Sequence, residues 1–152
     1  MPPSSGSPID IIGLDHVVLR VRDLAASCDF YLGLLGGTME RELAELGLHQ
    51  VRLGAHLIDL VPVDSPLGRA GGPPPTEQGR NVDHFALSLR RFDEPALRAH
   101  LESHGVEPGD VGQRYGALGE GPSMYVKDPD GNVVELKGPP TRPGRSNEGD
   151  EA

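Results

Sequence analysis

Two stretches of the chain follow one hydropathic plan. In the first, residues 14–20 alternate so that Leu14, His16, Val18 and Arg20 share one face of a strand and Asp15, Val17 and Leu19 the other. Apolar residues stand on both faces, which predicts a strand covered on both sides. Asp23 is placed to cap a helix, LAASCDFYLGLL suits its body, and Gly36–Gly37 end it. TMERELAEL, LHQVRLG and AHLIDLVPV fit three short strands, with Gly54 marking the last turn. TMERELAEL is also compatible with a helix. The second stretch repeats the order. VDHFALSL reads as a strand, and DEPALRAHLESHG as a helix with Asp93 as cap, Pro95 in the first turn, Leu97 and Leu101 paired, and Gly105 as terminator. GDVGQRYG is irregular or a strand. SMYVKD, the turn DPDG and NVVELKG form a hairpin.

Each stretch therefore reads β-α-β-β-β. The expected organisation is a flexible tail over 1–10, a first module over 11–63, a Pro/Gly-rich linker over 64–81, a second module over 82–138 and another flexible tail over 139–152. A repeated unit that cannot bury its own sheet pairs with its copy. The fold expected is α+β: a curved eight-stranded mixed sheet with helices outside and a cup within.

Composition narrows the function classes. The 152 residues are 36% apolar, enough for one core, and 21 Gly with 15 Pro assign much of the chain to turns. With 14 Lys+Arg against 23 Asp+Glu, the net charge is -9, which argues against nucleic acid and anionic membranes as partners. No run is long enough to span a membrane, MPPSSGSPID lacks the features of a secretory signal, and the lone Cys28 has no disulfide partner. A cytoplasmic protein is expected.

Superposing the copies exposes candidate chemistry. His16 and His84 lie 68 residues apart, each after an Asp and at the head of a first strand. Near the end of each module, HLIDLV and NVVELK place Asp59 and Glu135 in matching positions. Taken singly, a strand histidine is most simply a packed or surface residue. Four such residues at repeat-equivalent places are not a chance pattern. A pseudo-twofold axis between the modules would bring His16, Asp59, His84 and Glu135 together. Two imidazoles and two carboxylates suit a divalent Zn, Ni, Co, Mn or Fe ion with positions left for water or substrate. His49, His56, His100 and His104 have no repeat partners, and the last two are read as a solvated helix face.

The strings GLDHVVLRVRDLAASCDFYLGLLGG, GAHLIDLVP, VDHFAL and GPSMYVKDPDGNVVELKG resemble the vicinal oxygen chelate superfamily, which includes glyoxalases, bleomycin-resistance proteins, fosfomycin-resistance enzymes and extradiol dioxygenases. The resemblance spans roughly residues 12–138, and its layout is similar to that of glyoxalase-domain-containing proteins. It implies paired βαβββ modules and a metal held by first-strand histidines and last-strand carboxylates: His16, His84 and Glu135 directly, and Asp59 where glutamate is commoner. It further implies a small-molecule substrate and a homodimer, with a cup built within one chain or between two.

The implied activity is a metal-dependent lyase or isomerase of glyoxalase type acting on a small oxygenated substrate through a metal-stabilised enediolate. Glu135 is its candidate base and Asp59 the alternate. An extradiol-type dioxygenase using His16, His84 and Glu135 on iron is the alternative. A metal-free drug-binding protein, compatible with the acidic charge, is a third. Arg114 and Lys127 are candidate contacts for an anion, and Tyr115 and Tyr125 for a substrate hydrogen bond. GALGEGP is a candidate lip over the cup.

Overall fold

The computed structural model describes residues 8–144. The expected tails extend beyond it at both ends, so residues 1–7 and 145–152 lie outside the described residues. The first module runs β1 (His16–Val21), α1 (Leu24–Cys28) continued by a π-helical segment (Asp29–Leu34), β2 (Thr38–Leu43), β3 (Leu48–Leu53) and β4 (His56–Pro62). TMEREL is thus a strand rather than a helix: its alternation lets it pair antiparallel with β3. A short helix α2 (Pro66–Ala70) follows in the linker. The second module runs β5 (His84–Ser88), α3 (Glu94–Ser103), β6 (Val111–Gly116), β7 (Gly119–Lys127) and β8 (Val133–Lys137).

Local chemistry sets the helix starts. Asp23 accepts from the Ala26 amide and Asp93 from the Ala96 amide, both at 3.1 Å, satisfying donors that a helix N-terminus leaves free. Each cap contributes about 1 kcal/mol.

The sheets repeat one topology. The orders are β1-β4-β3-β2 and β5-β8-β7-β6, with the first strand of each module parallel to its last. Among the described residues the strands make two sheets rather than one continuous eight-stranded sheet. At the edge of β1, Asn81 donates to the Arg20 carbonyl at 3.0 Å and accepts from the Arg20 amide at 3.1 Å, so a linker side chain pairs these backbone groups. Residues 142–143, expected in the tail, form β9 (Arg142–Pro143) against the part of β7 that extends past β8.

One core joins the modules. Leu19, Val21, Val51, Ile58 and Leu60 of the first sheet cluster with Met124, Val126, Val134 and Leu136 of the second. Phe30, Tyr31 and Leu34 from the π-helical segment and Leu101 from α3 complete the cluster. Strand alternation puts these residues opposite His16, Asp59, His84 and Glu135. The helices accordingly pack behind the sheets. The other face is bare: Val18 is 49% exposed and Leu14 74%. The expectation that β1 is covered on both sides is thus corrected. The apolar residues on its second face meet no cover from among the described residues.

The turn DPDGN locks the modules together. Asp128 accepts from the Asp130 and Asn132 amides at 3.0 and 2.8 Å and from the Asn132 side chain at 2.9 Å. Gly131 takes a φ of 82°, which lets the loop turn back at no steric cost. The remaining carboxylate capacity reaches across to the first module. Tyr31 donates to Asp128, and the Arg22 amide and Nε donate to Asp130 Oδ1 at 3.0 and 3.1 Å. His100 and His104 lie on the exposed side of α3 as expected, and His100 Nε2 also donates to the Leu34 carbonyl of the first module at 2.8 Å.

Candidate metal centre

The parallel pairing of first and last strands brings one histidine and one carboxylate together in each module. On β1 and β4, Val18 stands opposite Asp59, so His16 lies one pleat along on the same face. On β5 and β8, Ala86 stands opposite Glu135 and His84 takes the equivalent place. His16 Nε2 lies 3.9 Å from Asp59 Oδ2, and His84 Nε2 lies 3.9 Å from Glu135 Oε1. The carboxylates are buried, whereas the His16 and His84 side chains are 45% and 43% exposed. Each pair thus has a fixed floor and an open mouth.

The doubled Asp-His motif now has a physical role. Asp15 Oδ1 accepts from His16 Nδ1 at 2.7 Å, and Asp83 Oδ2 accepts from His84 Nδ1 at 2.7 Å. A proton on Nδ1 serves that bond and leaves the Nε2 lone pair facing the buried carboxylate. This is how a metal-ligating histidine is oriented. The hydrogen bond to Asp15, aided by the charge of Asp59, raises the His16 pKa above its ordinary 6.5. The hydrogen bond to His84 lowers the Asp83 pKa.

The pair geometry fits a divalent ion. Nitrogen and oxygen ligands sit about 2.0–2.2 Å from zinc-like ions, so two ligands of one ion lie at most about 4.2 Å apart. The 3.9 Å separations fall within that reach. Within one chain the two pairs do not converge. No group of three or more His, Cys, Asp or Glu side chains gathers to hold an ion among the described residues. The chain presents two half-sites, each with one imidazole and one carboxylate.

The halves differ in what supports the carboxylate. Gln50, directly across β3 from Asp59, donates Nε2 to both carboxylate oxygens at 3.2 and 3.3 Å. Its repeat equivalent is Tyr125, directly across β7 from Glu135. Tyr125 instead packs edge-on to His84, with ring centres 5.8 Å apart, beneath the Arg114 guanidinium at 4.1 Å. Arg114 also bonds Ser123 and Asp110, so its charge is already used. Lys127 is exposed. A cavity of about 640 Å³ lies beside the second half-site, sharing Tyr125 and Val133 with its floor but lined by none of the four ligand candidates. Gln50 had no motif to announce it. The hairpin register opposite Asp59 is the signal that finds it.

The sequence profile of the glyoxalase/bleomycin resistance protein/dioxygenase superfamily matches residues 13–136. The chain belongs to this superfamily. The glyoxalase domain-containing protein RDO1 of Mycosarcoma maydis is 30% identical over 135 residues, covering 84% of this chain and 69% of its own. The virulence protein STM3117 of Salmonella typhimurium is 26% identical, with 81% of each chain covered. Among solved structures, an integron cassette protein from V. cholerae superposes with a TM-score of 0.65 at 28% identity, covering 86% of this chain and 97% of its own. The fosfomycin resistance protein FosX of Listeria monocytogenes shares the fold, with a TM-score of 0.63 at 22% identity over 84% of this chain and 91% of its own. A FosX variant has been crystallised with Mn(II) and a dihydroxypropylphosphonic acid. Among the described residues, no helix is long and apolar enough to cross a membrane.

Proposed function

We propose that the protein is a divalent-metal-dependent lyase or isomerase of glyoxalase type, with its ion held between two copies of the chain. His16 and Asp59 of one copy and His84 and Glu135 of a second would be its ligands. The carrying observation is the pair of equivalent half-sites, each opening away from the shared core. Exposed Leu14 and Val18 beside His16, with exposed Ile11 and Ile12 before β1, supply apolar surface for the second copy to cover. When bound, the ion supplies Lewis acidity toward two adjacent oxygens of a small substrate. Glu135 is the base. The Asp15 and Asp83 carboxylates hold the imidazoles in register throughout.

A complementation experiment tests this reading. One variant carries His16→Ala with Asp59→Ala, the other His84→Ala with Glu135→Ala. Each alone should retain no stoichiometric metal. Refolded together, they should recover it, because a mixed dimer rebuilds one complete site. Full metal retention by either variant alone, or no recovery on mixing while the unmutated chain binds metal, sinks the shared site.

Gln50 favours a second reading. Its amide occupies both oxygens of Asp59, leaving His16, His84 and Glu135 as a two-histidine, one-carboxylate set. An extradiol-type dioxygenase uses such a set on iron. Unchanged metal affinity in Asp59→Ala together with catechol-dependent oxygen uptake would select it. No uptake, with affinity lost in Asp59→Ala, would select the lyase or isomerase.

A further inference from the structure

His100 and His104 take no part in the candidate metal centre, and both are exposed. They stand where α3 ends, His100 in its last turn and His104 as its C-cap. Residues four apart on a helix are neighbours on one face, and two histidines at that spacing can grip one ion. The two rings are 4.6 Å apart between centres and inclined at 53°.

Hydrogen bonds decide which nitrogen each ring has to offer. His100 Nε2 meets the Leu34 carbonyl at 2.8 Å, and His104 Nδ1 meets the His100 carbonyl at 3.0 Å. A carbonyl can only accept, so these two nitrogens carry the protons. In the neutral imidazoles the lone pairs are then on His100 Nδ1 and His104 Nε2. A backbone carbonyl on the far nitrogen is a common support of a metal-ligating histidine, and both rings have one.

Spacing and charge agree with an ion. Nitrogen lies about 2.0–2.1 Å from a zinc-like ion, with the ring centre roughly 1 Å further back, so two rings on one ion at right or tetrahedral angles have centres about 4.4–5.2 Å apart. The observed 4.6 Å falls in that range. The C-terminal end of a helix carries partial negative charge and favours a cation. No third His, Cys, Asp or Glu joins the pair among the described residues, which leaves the other positions to water. Two imidazoles suit Cu(II), Ni(II) or Zn(II), not oxygen-seeking Mg(II) or Ca(II).

We propose that His100 and His104 form a second metal site, for a borderline divalent ion, and that the ion fastens α3 to the first module. The link is the His100 ring. An ion on Nδ1 draws charge from the imidazole and makes Nε2–H a stronger donor to the Leu34 carbonyl. The site does not depend on the metal centre of the half-sites.

Metal titration of the full chain carrying His16→Ala with His84→Ala tests it, because this background lacks both imidazoles of that centre. Cu(II) should bind at one equivalent, with a paramagnetic resonance spectrum showing two coordinated nitrogens. Zn(II) should raise the thermal midpoint of the same protein, and Ca(II) should not. Added to the background, His104→Gln should weaken Cu(II) binding about tenfold or more and remove the Zn(II) shift. It leaves the His100–Leu34 bond in place, so loss of that bond cannot imitate the result. His100→Gln should have the same effect on Cu(II). No Cu(II) binding in the background, or binding that survives both glutamine substitutions, overturns the site. Cu(II) binding with no Zn(II) shift of the midpoint overturns the fastening of α3.

Discussion

The Tyr31 hydroxyl donates a 2.7 Å hydrogen bond to Asp128 Oδ2, joining the first module's π-helical segment to the second module's hairpin turn across 97 residues of chain. Both groups are buried. The bond therefore ties the modules together in a setting where an unpaired acceptor is costly.

Tyr31→Phe removes the donor and keeps the ring. Asp128 retains its three bonds from Asp130 and Asn132, so the loss should be about 1–3 kcal/mol and not more. Urea unfolding followed by circular dichroism gives the value. A change below a few tenths would show that the clamp contributes little.

Stability should also fall in alkali through the same residue. Burial first, and then the charge of Asp128, raise the Tyr31 pKa well above its ordinary 10. Above pH 10 the unfolded chain loses this proton while the folded chain keeps it, so the folded state is progressively disfavoured until the folded-state pKa is passed. The parent should lose stability above pH 10 more steeply than Tyr31→Phe. Parallel pH profiles would contradict this.

His16 titrates in the opposite region. Its raised pKa means that the folded protein favours the imidazolium. The stabilisation is full below about 6.5 and disappears as pH rises through the raised value. In metal-free protein, the NMR midpoint of His16 should exceed 6.5, and Asp15→Asn should bring it down. A midpoint that Asp15→Asn leaves in place would separate the Asp15 contact from the shift.

Asp83→Asn tests the orientation of His84. Loss of such a carboxylate partner typically lowers metal affinity about 10–100-fold. Competition against a chelating dye measures it, with unchanged thermal stability of the metal-free protein as the control. Unaltered affinity would mean that Asp83 does not orient a ligand.

Much of this molecule was legible because its signals are local. Strand alternation, the caps at Asp23 and Asp93, and the recurrence of Asp-His with a late carboxylate anticipate the order of elements and the approach of His16 to Asp59 and of His84 to Glu135. What escaped depends on distant contacts. DPDG reads only as a hairpin turn, but Tyr31 and Arg22 of the first module bond its carboxylates in a buried setting. His100 has solvent-facing helical spacing, yet reaches Leu34. The apolar residues on both faces of β1 suggested two covers, and periodicity cannot say whether the second cover belongs to the same chain.

The shallow mouths of the two half-sites have a chemical consequence. A chain that offers one imidazole and one carboxylate at a time grips an ion no better than a two-toothed chelator, whereas two chains that meet offer four teeth. Retention of the ion on dilution would then report encounter between copies, and the metal would serve as the latch of the assembly as well as its reactive centre.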